Sequence, residues 1–290
     1  MTELCELARK LLADGSVKVV IGYEEGPRGV RSIFVTDPAQ AERLIFDTRC
    51  VHNLAAYLNP RRQHVTKLGK PAVVVKGCDA RAVAGLIREC QVKREDVVII
   101  AVRCGGVVRD PAQSPELTLD TVSDRCAGCE VREPKLFDYL LGPLPPAPPQ
   151  STRSDDKLAE LAKMTPAQRW AFWSGHLERC IRCHACREVC PMCFCVQCTA
   201  DKGRPQWIDP SPTLQGNRAW QMMRALHQAG RCAGCLECER ACPADIPLGL
   251  LAKYVAHTVE RRFGYKTCDD PAAPAPMGVF STDDEQEFIQ

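Results

Sequence analysis

The sequence carries no surplus of charge of either sign, since 38 Lys and Arg residues face 36 Asp and Glu residues. So even a balance gives no electrostatic reason to expect binding to nucleic acid or to an anionic membrane surface. Long apolar runs are also missing: the longest, such as residues 97–102, suit a buried strand and fall far short of the roughly 20 residues of a membrane-spanning helix. We therefore expect neither a nucleic-acid partner nor a membrane.

The first 16 residues lack the pattern of a secretory signal. They follow the pattern of an amphipathic helix with acidic residues at Glu3 and Glu6, whereas a signal peptide has a basic segment followed by an apolar one. A cytoplasmic protein is predicted.

Recognisable catalytic motifs are missing as well. The sequence contains no nucleophile elbow, no paired acid–base motif and no phosphate-binding loop. No catalytic residue is predicted, and a non-catalytic role is favoured, although the sequence leaves open whether the chain is an enzyme.

Cysteine, in contrast, is abundant, with 19 residues in a chain of 290. A chain of this length can build a hydrophobic core without disulfides, and a reducing cytosol makes a disulfide framework unfavourable. Thirteen of the cysteines fall in three tight groups, at residues 126–129, 180–198 and 232–242. Such spacing in a cytosolic protein indicates metal binding.

Strand-like and helix-like patterns alternate over residues 1–141. Strands are predicted at residues 17–23, 30–36, 71–75 and 97–102, and helices at residues 4–12, 38–46 and 80–90. Asp79 is predicted to cap the last of these helices. The alternation predicts an α/β domain with a mostly parallel sheet.

The composition changes after residue 141. Residues 142–150 contain five prolines, and we assign a Pro-rich linker to residues 142–154. Helical patterns then predict a helical domain over residues 155–267. Residues 268–290 are rich in proline and aspartate and are predicted to form a polar tail, either unstructured or bound to a partner.

Two runs of four cysteines share the spacing C-x2-C-x2-C-x3-C-P, over residues 180–191 and 232–243. This spacing is typical of [4Fe-4S] binding, and in two-cluster ferredoxins the fourth cysteine of each run binds the other cluster. We therefore predict a helical dicluster ferredoxin domain with two [4Fe-4S] clusters. The first is assigned to Cys180, Cys183, Cys186 and Cys242, and the second to Cys232, Cys235, Cys238 and Cys190.

Zinc is the main alternative for these thiols. Zinc favours four-thiolate sites built from two separate C-x2-C pairs, which two matched runs of four cysteines fit poorly. The helical patterns around both runs resemble the helical ferredoxin domains of fumarate-reductase and heterodisulfide-reductase iron–sulfur subunits.

A third group of thiols follows the predicted parallel strands. Cys78 and Cys104 each come after a strand, so that both lie at the carboxyl edge of the sheet, where α/β folds place ligands. Cys126 and Cys129 follow on a loop that could close the site. These four cysteines are predicted to bind a third [4Fe-4S] cluster, with a zinc knuckle or unliganded thiols as the alternative.

Three further cysteines, Cys193, Cys195 and Cys198, come directly after the first run. They have no fourth partner nearby in the sequence, and Cys50 is the favoured candidate, with His52 or His184 behind it. A fourth metal cluster is one interpretation of this group. The other is a set of thiols that surround the first cluster without binding it.

Residues 71–81 and 97–104, with the later pair Cys126 and Cys129, resemble the beta subunits of deazaflavin-coenzyme-reducing hydrogenases and formate dehydrogenases. With its dicluster segment, the whole chain resembles the short dicluster members of that family, which are similar to partners of heterodisulfide-reductase-type flavoproteins. The resemblance implies iron–sulfur clusters and usually FAD. FAD is the less expected cofactor here, because the Gly-rich N-terminal segment that helps longer members hold flavin is not seen and no dinucleotide fingerprint is found.

Three functions compete. The favoured one is an electron-transfer subunit of an anaerobic hetero-oligomer, between a formate dehydrogenase or hydrogenase type of catalytic subunit and a heterodisulfide-reductase-like flavoprotein or ferredoxin. The second is an FAD-containing reductase of a soluble coenzyme. The third is a nucleic-acid-binding module with structural clusters, which the near-neutral charge disfavours.

Overall fold

Five short strands form one sheet in the computed structural model, which describes residues 2–112, 115–280 and 282. The strand order is β2-β1-β3-β4-β5; β2 is antiparallel to β1, and the other neighbouring pairs are parallel. The predicted mostly parallel sheet is thereby confirmed. The strands are β1 (Val19–Gly26), β2 (Gly29–Val35), β3 (Pro71–Val75), β4 (Val98–Val102) and β5 (Tyr139–Leu141).

Helices flank the sheet and make up most of the regular structure after it. Short 3-10 segments lie at Pro38–Arg43, Leu54–Leu58, Arg94–Asp96, Thr199–Asp201 and Pro276–Gly278. The α-helices are α1 (Thr2–Ala13), α2 (Gln63–Thr66), α3 (Gly77–Arg88), α4 (Arg153–Lys163), α5 (Pro166–Glu178), α6 (Ala185–Glu188), α7 (Leu214–His227), α8 (Glu237–Arg240) and α9 (Leu248–Phe263).

The prediction for the start of α3 was wrong in one respect. The helix begins at Gly77, and Asp79 therefore lies in its first turn instead of capping it. The Asp79 carboxylate still accepts a hydrogen bond from the backbone N–H of Lys76, at 3.1 Å, which satisfies a donor at the helix start. The strand, helix and next strand form the expected parallel unit, so Cys78 and Cys104 both lie just beyond the carboxyl ends of neighbouring strands.

The two halves of the chain pack against each other. The main hydrophobic core lies around the sheet of the N-terminal half (residues 2–141), and Met192 and Ala233 of the C-terminal half (residues 153–280) extend into it. A second core, which includes Leu177, Trp220 and Ile246, lies under the cysteine runs. Because the halves share a core, groups at their interface can be buried far from solvent.

Ion pairs and the Pro-rich segment add to this interface. Arg61 pairs with Glu188 at 2.7 Å, and Arg231 with Glu89 at 3.0 Å. Pro145 of the linker lies against Gly105, so the segment follows the surface of the N-terminal half. Part of the predicted tail is also held there, since Asp269 accepts a hydrogen bond from the backbone N–H of Lys135 at 2.7 Å. Residues 281 and 283–290 of that tail lie outside the described residues.

Candidate iron–sulfur sites

The two cysteine runs repeat in backbone conformation as well as in sequence. In each run the residue before the second cysteine and the residue after it have positive φ: 56° and 61° at Arg182 and His184, and 69° and 51° at Gly234 and Leu236. Each pair of left-handed residues turns the chain just before a one-turn helix, α6 or α8. The runs therefore form equivalent loops.

The first-run site is the cavity lined by Cys180, Cys183, Cys186 and Cys242. These are the four cysteines that crossed ligation assigned to one cluster, and Cys242 comes from the other run. Cys183 is exposed, so this site has an edge at the surface. Burial, together with the neighbouring thiols, raises the pKa of Cys186 to about 11.

The second-run site consists of Cys232, Cys235 and Cys238 with Cys190 of the first run. Cys190 lies near enough to the other three thiols to act on their ionisation. Burial, with the Cys238 and Cys190 thiols beside it, raises the pKa of Cys232 to about 12. The structure thus brings together both crossed sets of thiols.

Arg224 of α7 lies between these two sites. It donates a hydrogen bond to the Cys186 carbonyl oxygen at 3.1 Å, and the thiols of Cys238 and Cys190 are among its electrostatic neighbours. A guanidinium in this position can offset the negative charge of thiolates on both sides.

The N-terminal site is formed by Cys78, Cys104, Cys126 and Cys129, which line one large cavity of about 380 Å³. Its wall also includes Cys232 and neighbouring residues of the C-terminal half. Backbone N–H groups point at two of its sulfurs: Gly106 donates to Cys104 at 3.4 Å and Val107 to Cys126 at 3.3 Å. Such N–H···S bonds stabilise thiolates and the clusters they hold.

All three sites fit the chemistry of cluster binding. Burial raises the pKa of Cys78 well above its usual range and that of Cys104 to about 11. Such thiols are protonated and inert near pH 7 until iron displaces their protons. Within residues 2–112, 115–280 and 282, no three Cys, His, Asp or Glu side chains converge on the position of a single metal ion; the thiols line cavities.

The fourth predicted group is only partly assembled. Cys193, Cys195 and Cys198 line one small cavity together with His227 of α7. Cys50 does not join them: it is buried in the core of the N-terminal half, where its sulfur accepts a hydrogen bond from the backbone N–H of Asp47 at 3.3 Å. A hydrogen bond from Cys190 lowers the pKa of Cys193. A fourth metal site stays a prediction, with His227 beside the three thiols.

The two histidines proposed behind Cys50 also lie elsewhere. His52 is at the interface of the halves, with its Nδ1 atom 3.0 Å from the guanidinium of Arg240. His184 lines the first-run site, and its ring packs edge-on against Trp220. Neither lines the cavity of Cys193.

Sequence reasoning missed a buried charged network beside the N-terminal site. The ammonium of Lys76, whose residue is 1% exposed, lies 2.8 Å from the Asp79 carboxylate and donates to the Tyr23 hydroxyl and to the His52 carbonyl oxygen. The signal in the sequence was a lysine directly after the apolar strand β3. This network fixes the turn that leads into Cys78.

We expect Lys76→Met to destabilise the protein by about 3–5 kcal/mol, because it leaves the buried Asp79 carboxylate without its counter-charge. The shift in the denaturation midpoint of anaerobically prepared protein measures the loss. Lys18→Met, at an exposed position, is the control and should change stability by no more than about 0.5 kcal/mol. Adding Asp79→Asn to Lys76→Met should restore part of the loss, and a single variant as stable as the control would contradict the expectation.

Comparisons with known proteins find similarity to one domain family and to curated relatives. Residues 176–246 match the 4Fe-4S dicluster domain family. The chain is 34% identical over 110 residues to the F420-dependent formate dehydrogenase subunit beta of Methanocaldococcus jannaschii, and 34% identical over 108 residues to the F420-dependent formate dehydrogenase 1 subunit beta of Methanococcus maripaludis. Each match covers 37% of this chain, but only 28% and 27% of the respective relatives.

Proposed function

Because residues 176–246 are a 4Fe-4S dicluster domain and the chain is related to the beta subunits of F420-dependent formate dehydrogenases, we propose that it is an iron–sulfur electron-transfer subunit of an oxidoreductase complex. The observation that carries the proposal is the adjacency of three four-thiol sites. The N-terminal cavity includes Cys232 of the second-run site in its wall, and Cys190 links the second-run site to the first run. Adjacent sites suit a path for electrons, since a single cluster would suffice to hold a fold together.

The residues of the chain have distinct tasks in this proposal. The twelve cysteines of the three sites would hold [4Fe-4S] clusters, which when bound accept and release single electrons. Glycine amides such as those of Gly106 and Gly234 donate to the cysteine sulfurs, the latter to Cys232 at 3.4 Å, and stabilise their anionic form. Cys126 and Cys235 are buried at the interface of the halves, which keeps water from their sulfurs.

The expected partner is a catalytic subunit, in a hetero-oligomer located in the cytoplasm. Its similarity to formate dehydrogenase beta subunits supports a formate dehydrogenase type of partner, and the resemblance of its sequence motifs adds a hydrogenase type. A heterodisulfide-reductase-like flavoprotein or a ferredoxin is the proposed second partner. In the part of the chain that the structure describes, no helix is both long and apolar enough to cross a membrane.

One observation favours the alternative function, an FAD-containing reductase of a soluble coenzyme. The cavity at the N-terminal site, about 380 Å³, falls within the range of roughly 300–1,000 Å³ that small-molecule sites occupy. Its wall carries the basic side chains of Arg81 and Arg132, which suit an anionic ligand. Two lysines of the same wall are already paired, Lys253 with Asp155 and Lys266 with Glu130.

Anaerobic purification of the untagged protein from its native source separates the two functions. We expect the chain to co-migrate with a larger oxidoreductase subunit, to contain iron and sulfide, and to release no flavin on denaturation. A free monomer that releases flavin and reduces a soluble coenzyme at enzymatic rates would instead establish the reductase. A colourless, iron-free protein would contradict both.

A further inference from the structure

Two arginines occupy the junctions between neighbouring thiol sites. The side chain of Arg125, 6% exposed, is enclosed between the halves. It donates to the carbonyl oxygen of Cys235 in the second run, and its electrostatic neighbours include the thiols of Cys78 and Cys126 in the N-terminal site. Arg125 therefore adjoins both sites at once.

The second run is the one anchored to the N-terminal half at this point. Glu237, whose side chain is 2% exposed, lies between Cys235 and Cys238, 3.3 Å from the Arg125 guanidinium and 2.9 Å from that of Arg240. The equivalent residue of the first run is Ala185, which offers no carboxylate. The two runs share their cysteine spacing but differ at this position, so the second run offers Arg125 a carboxylate where the first run has a methyl group.

Arg224 occupies the other junction. It bonds to the Cys186 carbonyl oxygen of the first run and adjoins Cys238 and Cys190 of the second-run site. The second-run site consequently has Arg125 on the side of the N-terminal site and Arg224 on the side of the first-run site.

We infer that the three sites form one line with the second-run site in the middle, and that Arg125 and Arg224 raise the reduction potentials of the two sites that each adjoins. The inference rests on the proposed function, since it requires clusters in all three sites. Its physical basis is that reduction adds a negative charge to an anionic, buried group. A fixed positive charge beside it therefore stabilises the reduced form.

Redox titration of the full chain, followed by electron paramagnetic resonance, tests the inference. Cys104→Ser and Cys183→Ser assign the signals of the N-terminal and first-run sites by removing them. Arg125→Gln should then shift the midpoint potentials of the N-terminal and second-run sites to more negative values and leave the first-run site unchanged. Arg224→Gln should shift the second-run and first-run sites and leave the N-terminal site unchanged.

Three further variants separate charge from structure. Arg125→Lys keeps the charge and should keep potentials close to those of the unaltered protein. Glu237→Gln removes a negative charge at the same junction and should shift the second-run site to a more positive value. Arg88→Gln is the matched control: Arg88 also joins the halves, through Tyr265 and the Asp270 carbonyl oxygen, but through no cysteine of a site, so its loss should leave all potentials unchanged.

The outcomes are distinguishable from a failure of the proposed function. Unaltered protein without iron in the three sites contradicts that function itself. Full iron content with unmoved potentials in Arg125→Gln, or equal shifts in Arg125→Lys and Arg125→Gln, overturns the inference alone. If Arg125→Gln loses its iron, the Glu237→Gln and Arg224→Gln variants still test the inference. Unchanged midpoint potentials in both of these variants overturn it.

Discussion

Cys190→Ala is expected to destroy the cluster of the second run, although Cys190 belongs to the first. Because Cys190 lies beside Cys232, Cys235 and Cys238, its loss leaves that set with three ligands. Cys242→Ala should likewise destroy the cluster of Cys180, Cys183 and Cys186, with which Cys242 lines one cavity. Each variant should lose about four irons per chain, the content of one cubane.

Iron and sulfide analysis of anaerobically purified protein measures this loss, and pairs of substitutions identify the cluster. Cys190→Ala combined with Cys235→Ala should lose no more iron than either change alone, because both remove ligands of one cluster. Cys190→Ala combined with Cys183→Ala should lose about eight irons, the content of two cubanes. Cys90→Ala is the control, since Cys90 is exposed and belongs to none of the sites. A loss of about eight irons in the first pair of substitutions and about four in the second would show that each run binds its own cluster.

The sequence was sufficient to predict features that depend on spacing along the chain. The apolar runs at β3 and β4 are short and bounded by turn residues, so both strands and their parallel pairing followed from the pattern. The similarity to the beta subunits of F420-dependent formate dehydrogenases agrees with the resemblance that the sequence indicated. The cysteine runs have a spacing that is typical of [4Fe-4S] binding. The match of residues 176–246 to the 4Fe-4S dicluster domain family confirms the predicted dicluster domain.

Features that depend on contact between distant segments could not be predicted. Arg125 and Glu237 are 112 residues apart, and nothing in either local pattern marks them as partners. Cys50 was predicted to join Cys193, Cys195 and Cys198 because those three thiols lack a fourth ligand in the sequence, but tertiary packing buries Cys50 in the core. Lys76 and Asp79 are only three residues apart, but their ion pair becomes necessary only because tertiary packing buries both side chains.

Gly77→Ala is expected to abolish the N-terminal site and spare the other two. A β-carbon at Gly77 would lie 1.6 Å from the backbone oxygen of Val131, a contact that no side-chain rotation can relieve. The loop that carries Cys126 and Cys129 would have to move away from Cys78, which directly follows Gly77. We expect a loss of about four irons per chain, the content of one cubane, with the signals of the dicluster domain retained.

Gly128→Ala provides the matched control for this prediction, because Gly128 lies on the same loop, between Cys126 and Cys129. A β-carbon there meets no atom within 4 Å, and its φ is not in the left-handed region, so alanine should be accepted with full iron content. Both variants add one methyl group beside the same four thiols; only the contact with Val131 distinguishes them. Equal iron content in the two variants would contradict the placement of the loop and, with it, the assignment of Cys129 to the N-terminal site.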